Sequence, residues 1–167
     1  MTEDEVFDAV MVRVAMGRMT DSPESRVQAP ASAEALDEAE RVIGYPFPPL
    51  IRRLYGEVAN GGFGPFGGVE GVGGGHESAG GAGMLAEYVE WRDTEIPDDS
   101  DFPAWMPGVV FFCDFGCAMW ALLDCRVPGG RIMFLDQGEL HELDVTPAQW
   151  FELWLDGELD MHKLAAA

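Results

Sequence analysis

Residues 57–83, EVANGGFGPFGGVEGVGGGHESAGGAG, hold more than half of the chain's 21 glycines. Read as a phosphate cradle, the stretch would make the protein a nucleotide enzyme; read as a structural turn, it would not. Gly62-Phe63-Gly64-Pro65-Phe66-Gly67 does fit G-x-G-x-x-G. A dinucleotide fingerprint, however, follows a strand and opens a helix, so that helix N–H groups meet the pyrophosphate. Here the motif follows a helix end, and Pro65 removes a backbone N–H that a phosphate would need. No Gly-Lys-Ser/Thr follows, so the stretch is not a Walker loop either. The better reading divides it. In residues 60–68, Phe63 and Phe66 can pack while the glycines turn the chain tightly. Residues 69–83 read as a mobile surface excursion, costly in entropy to order.

Upstream of the glycines the pattern is helical. Val6, Phe7, Val10, Met11 and Val14 form one apolar stripe, predicting a helix over 3–19. Pro and Ser break the pattern over 20–32. Ser32 is an N-cap for a second helix with Leu36, Ala39, Val42 and Ile43 inward, closed by Gly44. Pro48 and Pro49 suit a helix start, Leu50, Leu54 and Val58 its stripe, and Asn60-Gly61-Gly62 its end. Downstream, residues 84–93 predict a short helix with Leu85, Tyr88 and Val89 inward. The period then becomes that of strands. Two apolar runs meet at Asp114-Phe115-Gly116, and a second pair meets at Gln137-Gly138, which predicts two hairpins. Thr146 caps a last helix with Pro147 at its first position and Trp150, Phe151, Trp154 and Leu155 inward. The order predicts an α+β fold, an antiparallel sheet with helices packed on one face. A single domain is expected over 1–167, with a core at about 32–160 and the helix at 3–19 as an addition.

The 167 residues carry 30 acidic and 10 basic side chains, a net charge of −20. Such a field repels nucleic acid and favours a basic partner. The first ten residues are acidic, so no secretory leader is expected, and no apolar run reaches the length of a membrane span. With three cysteines, an odd number, reduced thiols in the cytoplasm are expected. Cys113 and Cys117 flank a hairpin turn, which leaves buried thiols and a disulfide across the turn both open.

No constellation demands catalysis. His76-Glu77 and His141-Glu142 each begin H-E-x-x-H but lack the second histidine, and His162 stands apart near the end of the chain, so no metal or other cofactor is expected. Glu95, Asp98, Asp99 and Asp101 form a carboxylate run without the glycine and final Glu of a calcium loop. They read as a solvated acidic loop or as a partner surface.

One segment is familiar. Residues 33–68, AEALDEAERVIGYPFPPLIRRLYGEVANGGFGPFGG, resemble the signature of the SMI1/KNR4 family of the SUKH superfamily. Glu40, Gly44, Pro48, Leu54, Asn60, Gly61, Gly62, Phe63, Gly64 and Pro65 stand at matching positions. Residues 105–124 resemble the family's strand pair through Asp114, Gly116 and Asp124, and residues 146–159 its final helix. Two departures stand out: Pro49-Leu50 replaces the usual acidic residue after the prolines, and the glycine excursion at 71–83 is long. The resemblance implies a non-enzymatic binding module. Bacterial members are mostly immunity proteins that block a cognate toxin, often a nuclease; fungal relatives are regulatory scaffolds. The expected partner is therefore a protein, a basic toxin domain, with no nucleic acid and no membrane. Its expected contacts are Asp98, Asp99 and Asp101, then Glu70 and Glu77 on the glycine loop, with Trp105 as an aromatic anchor or a core residue. The alternatives are a scaffold of the same fold and a metal-dependent hydrolase using the acidic loop.

Overall fold

The computed structural model describes residues 1–22, 26 and 28–167; the loop expected at 20–32 lies partly outside them. Helix α1 spans Glu3–Ala15, opened by a capping box in which Thr2 and Glu5 each bond the other's backbone N–H. It ends short of the expected residue 19, at a turn where Gly17 takes φ 73°. Val6, Phe7, Val10 and Val14 are buried, whereas Met11 lies off that line and is 42% exposed. Helix α2, Ala33–Ile43, has Ser32 as its cap and Gly44 in the left-handed conformation at its end, as its sequence predicts.

Helix α3, Pro49–Arg53, runs without a break into a π-helical turn, Leu54–Val58. The wider turn buries Leu54, Tyr55 and Val58 together and sets the entry to Asn60. Arg52 bridges back to α2 through Glu40 and Asp37, and Glu40 also accepts the Phe47 N–H at 2.7 Å. Glu40, part of the matching signature, thus fixes the α2–α3 corner.

The first part of the glycine stretch is no surface excursion, contrary to the expectation for residues 69–83, whereas residues 73–82 do lie at or near the surface. Val69, Glu70, Gly71 and Val72 are buried. Val69 forms a bridge to Cys113, and the Glu70 N–H donates to the Phe112 carbonyl at 2.8 Å, so the stretch lines the edge of the sheet. The Asn60 amide exchanges two hydrogen bonds with Val72, and the Asn60 carbonyl accepts from the His76 N–H. Glycine is required where these strands of chain touch. Gly61 has φ 76°, and a Cβ there would lie 2.7 Å from the Val69 carbonyl oxygen; one on Gly75 would lie 2.4 Å from the Asn60 side chain.

Helix α4, Met84–Asp93, follows, and buries Met84, Tyr88 and Trp91; the expected inward Leu85 and Val89 are only half-buried. Four strands then form an antiparallel meander in the order β1-β2-β3-β4: Val109–Asp114, Met119–Asp124, Arg131–Asp136 and Glu139–Glu142. A bulge between Phe111 and Cys113 shifts the alternation in β1. Helix α5, Pro147–Leu155, carries the expected Thr146 cap, and α6, Met161–Ala166, is an element that sequence periodicity missed. All three cysteines are free thiols: Cys113 and Cys125 are buried as small apolar groups, while Cys117 is exposed in the β1–β2 turn.

Alternation sorts the strand residues onto two faces. Val110, Phe112, Leu123, Ile132 and Phe134 face the helical layer, where Trp150, Phe151 and Trp154 of α5 and the stripe of α1 complete the main core. Each fully buried side chain of this size contributes about 1.5–3 kcal/mol. The other face presents Val109, Phe111, Leu122, Met133 and Leu135, packed with Trp91 of α4. It is covered by the α4–β1 loop, whose Ile96, Trp105 and Met106 reach onto it. No helix among the described residues is long and apolar enough to cross a membrane.

Candidate protein-binding face

That second face is where the carboxylates gather. The α4–β1 loop is held at both ends. The Trp91 indole N–H donates to the Pro103 carbonyl at 3.1 Å; the Tyr88 hydroxyl donates to the Ile43 carbonyl and accepts the Gly108 N–H. Between these anchors Glu95, Asp98, Asp99 and Asp101 are all exposed. They lie close because they are neighbours in sequence, in a segment of turns and bends with Pro97 and Pro103 on either side of the aspartates.

Beneath the loop, Trp91, Phe111 and Trp120 form an aromatic row with edge-on contacts of 5.4 and 5.1 Å between ring centroids. Two adjoining clefts run along it. One, of about 360 Å³, lies between α4 and the loop and contains Trp91, Ile96 and Glu90. The other, of about 800 Å³, lies toward the β1–β2 and β3–β4 turns and contains Trp120, Leu135 and Asp101. They share Glu87, Ser100, Phe102 and Phe111.

Glu87 is half-buried at this junction and accepts the Ala82 N–H at 2.9 Å. Burial pushes its carboxyl above the usual carboxylate range; the Ala82 N–H opposes this, and the charges of Glu90, Glu70 and Asp114 add to the rise. Most cations elsewhere are taken. Among the described residues, seven of the ten Arg and Lys side chains pair with carboxylates, and Arg92, the basic residue on α4 itself, pairs with Asp93 at 2.8 Å. Among the described residues, none pairs with Glu87, Glu90, Glu95, Asp98, Asp99 or Asp101.

The sequence-predicted contacts divide accordingly. Asp98, Asp99 and Asp101 share the exposed loop, and Asp101 reaches the larger cleft. Glu77 is exposed in a separate cleft beside Phe66, His76 and Asp114. Glu70 is not at the surface at all. Fully buried, it accepts the N–H groups of Ser78 and Gly83 at 3.1 Å each, so its carboxylate closes the glycine loop internally. Burial pushes its carboxyl up, against the pull of the Ser78 and Gly83 donors. Trp105 packs edge-on against Tyr88 at 5.7 Å and contacts both apolar clusters, a core position. Glu87, Glu90, Phe102 and Trp120 were missed by sequence reasoning. Only the alternation of β2 could have pointed Trp120 to this face. Among the described residues, no three His, Cys, Asp or Glu side chains are placed to hold a metal ion.

A four-stranded meander with its main helical layer on one face and an acidic, aromatic-floored surface on the other defines a small α+β domain. The chain belongs to the SMI1 / KNR4 family (SUKH-1), whose pattern residues 30–155 match. No curated protein matches the chain with significance. The family is generally one of non-enzymatic binding domains and is consistent with an immunity-type module that has protein partners.

Proposed function

We propose that the protein is a cytoplasmic immunity protein that neutralises a cognate toxin by docking its acidic face on a basic toxin domain. A nuclease suits this role, because a cleft that attracts phosphate must be electropositive. The observation that carries the reading is the set of carboxylates at the aromatic clefts that have no cationic partner among the described residues, on a chain that satisfies most of its cations elsewhere. Asp98, Asp99 and Asp101 would steer the approach, with Glu77 at the flank, and the clefts would supply the apolar contact that holds the complex. The protein would act by occlusion and would perform no chemistry of its own.

One observation favours a scaffold of the same fold as the second reading. Met11, Val12 and Met16 leave an exposed apolar patch on the outer side of α1, away from the acidic face, which a second partner could use. The two readings separate in an affinity capture from native lysate, washed at low and high salt and identified by mass spectrometry. A single basic partner released by salt supports neutralisation. Several partners that persist in high salt support the scaffold.

A further inference from the structure

The acidic face has a more specific shape than a diffuse negative surface. Its two clefts meet at one half-buried carboxylate, Glu87, and one exposed ring, Phe102, which is 36% exposed between them. The floor is the aromatic row Trp91–Phe111–Trp120. At about 360 and 800 Å³ the two clefts are open grooves large enough to take a side chain.

We infer that this junction seats an arginine of the partner, flanked in the partner's sequence by an apolar residue. The inference rests on the face being a protein-binding face. In the cleft that Glu87, Phe102 and Trp120 line together, the guanidinium stacks on an aromatic ring and forks onto Glu87, while the apolar neighbour fills the adjoining cleft. A planar guanidinium is weakly hydrated, stacks on aromatic rings and matches a carboxylate with two parallel donors; the compact, strongly hydrated ammonium of lysine does neither as well. Charge complementarity selects this occupant. Glu87 has no cationic partner among the described residues, and Glu90 and Asp101 line the two clefts beside it. A second copy of the chain would bring the same carboxylates against themselves at a net charge of −20 each, and nucleic acid would be repelled.

The test uses the whole protein, labelled with nitrogen-15, and three capped dipeptides at low salt: Arg-Leu, Lys-Leu and Arg-Gly. The expected result is that Arg-Leu shifts the amides of Glu87, Phe102 and Trp120 and an indole N–H of the row. Lys-Leu and Arg-Gly should bind at least about threefold more weakly. Glu87→Gln keeps the Ala82 acceptor and Phe102→Ser alters an exposed ring, so both variants should fold, and each should weaken Arg-Leu about fivefold. Equal binding of Arg-Leu and Lys-Leu, shifts confined to residues 98–101, or insensitivity to Glu87→Gln would overturn the arginine seat while leaving the acidic face as a steering surface. Absence of any shift would overturn it too. Sedimentation at rising concentration checks the remaining occupant: a dimer whose dissociation moves the same amides would assign the clefts to a second copy. Failure of the neutralisation reading shows separately, in the captured partner, and does not alter the peptide result.

Discussion

Asn60 and Val72 exchange two hydrogen bonds: the Asn60 amide nitrogen donates to the Val72 carbonyl, and the Val72 N–H donates to the Asn60 amide oxygen, both at 2.8 Å. The pair is buried, and it converts a glycine-rich stretch into a folded edge of the sheet. A side chain that satisfies two backbone groups at once leaves both orphaned when removed.

Asn60→Ala should therefore destabilise the protein by about 2–4 kcal/mol, read from the shift in urea midpoint at unchanged slope. Amide exchange at Val72 and His76 should accelerate more than in β2. A loss below about 0.5 kcal/mol would mean that water replaces the amide and that the stretch is held by other contacts.

Asp124 is buried and is bound by Arg126 and Arg131, each at 2.9 Å. Burial pushes its carboxyl up, but the Arg126 guanidinium and backbone N–H, with the Arg131 guanidinium, outweigh burial and hold it below the usual carboxylate range. A lowered pKa contributes stability that is present above the unfolded value and is lost as pH falls through the folded one. Asp124→Asn should cost about 1–3 kcal/mol at neutral pH, since both arginines can turn to water, and should cost less as pH falls below the unfolded aspartate value of about 3.9. A cost that stays constant across that range would contradict the ion-pair account.

Glu70 has the opposite sign. Its carboxyl is raised, so the folded protein takes up the proton at a higher pH than the unfolded chain. Stability from this group increases as pH falls from neutrality through the raised value, and the full gain is reached below the unfolded value of about 4.3. The wild type should gain stability relative to Glu70→Gln between pH 7 and pH 5 in urea unfolding. A relative loss over that interval would show that the Ser78 and Gly83 donors, and not burial, dominate the site.

Asp98, Asp99 and Asp101 are exposed and bear on no packing, so replacing all three by Asn should leave stability within about 0.5 kcal/mol. Thermal unfolding checks this. A large gain would show instead that their mutual repulsion strains the loop.

Much of the fold was legible because its signals are local. Ser32, Gly44, Thr146 and Pro147 mark helix ends by their own chemistry, and the strands alternate or run apolar over six residues. What was not legible depends on contacts distant in sequence. Glycines at 71–83 read as freedom, yet their lack of side chains is what lets Asn60 and Glu70 approach the backbone. Glu70 looked like any acidic loop residue, and nothing beside it in the sequence announces that Ser78 and Gly83 fold back over it. Met11 fits a helical stripe as well as Val10 does, and only the placement of the neighbouring helices decides which is covered. The acidic loop could be seen, but its junction with Glu87 and the row Trp91–Phe111–Trp120 joins a helix, a loop and two strands that only the fold brings together.

Electrostatic docking of a basic partner on the acidic loop would show first in the association kinetics. The rate constant for binding the captured partner would be measured by stopped flow from about 50 to 500 mM salt, for the wild type and for Asp98→Lys/Asp99→Lys/Asp101→Lys. The wild-type rate should fall steeply with salt, and the variant rate should be about tenfold or more slower at low salt with a flattened dependence. Equal rates and equal salt slopes for the two proteins would contradict electrostatic docking on this loop.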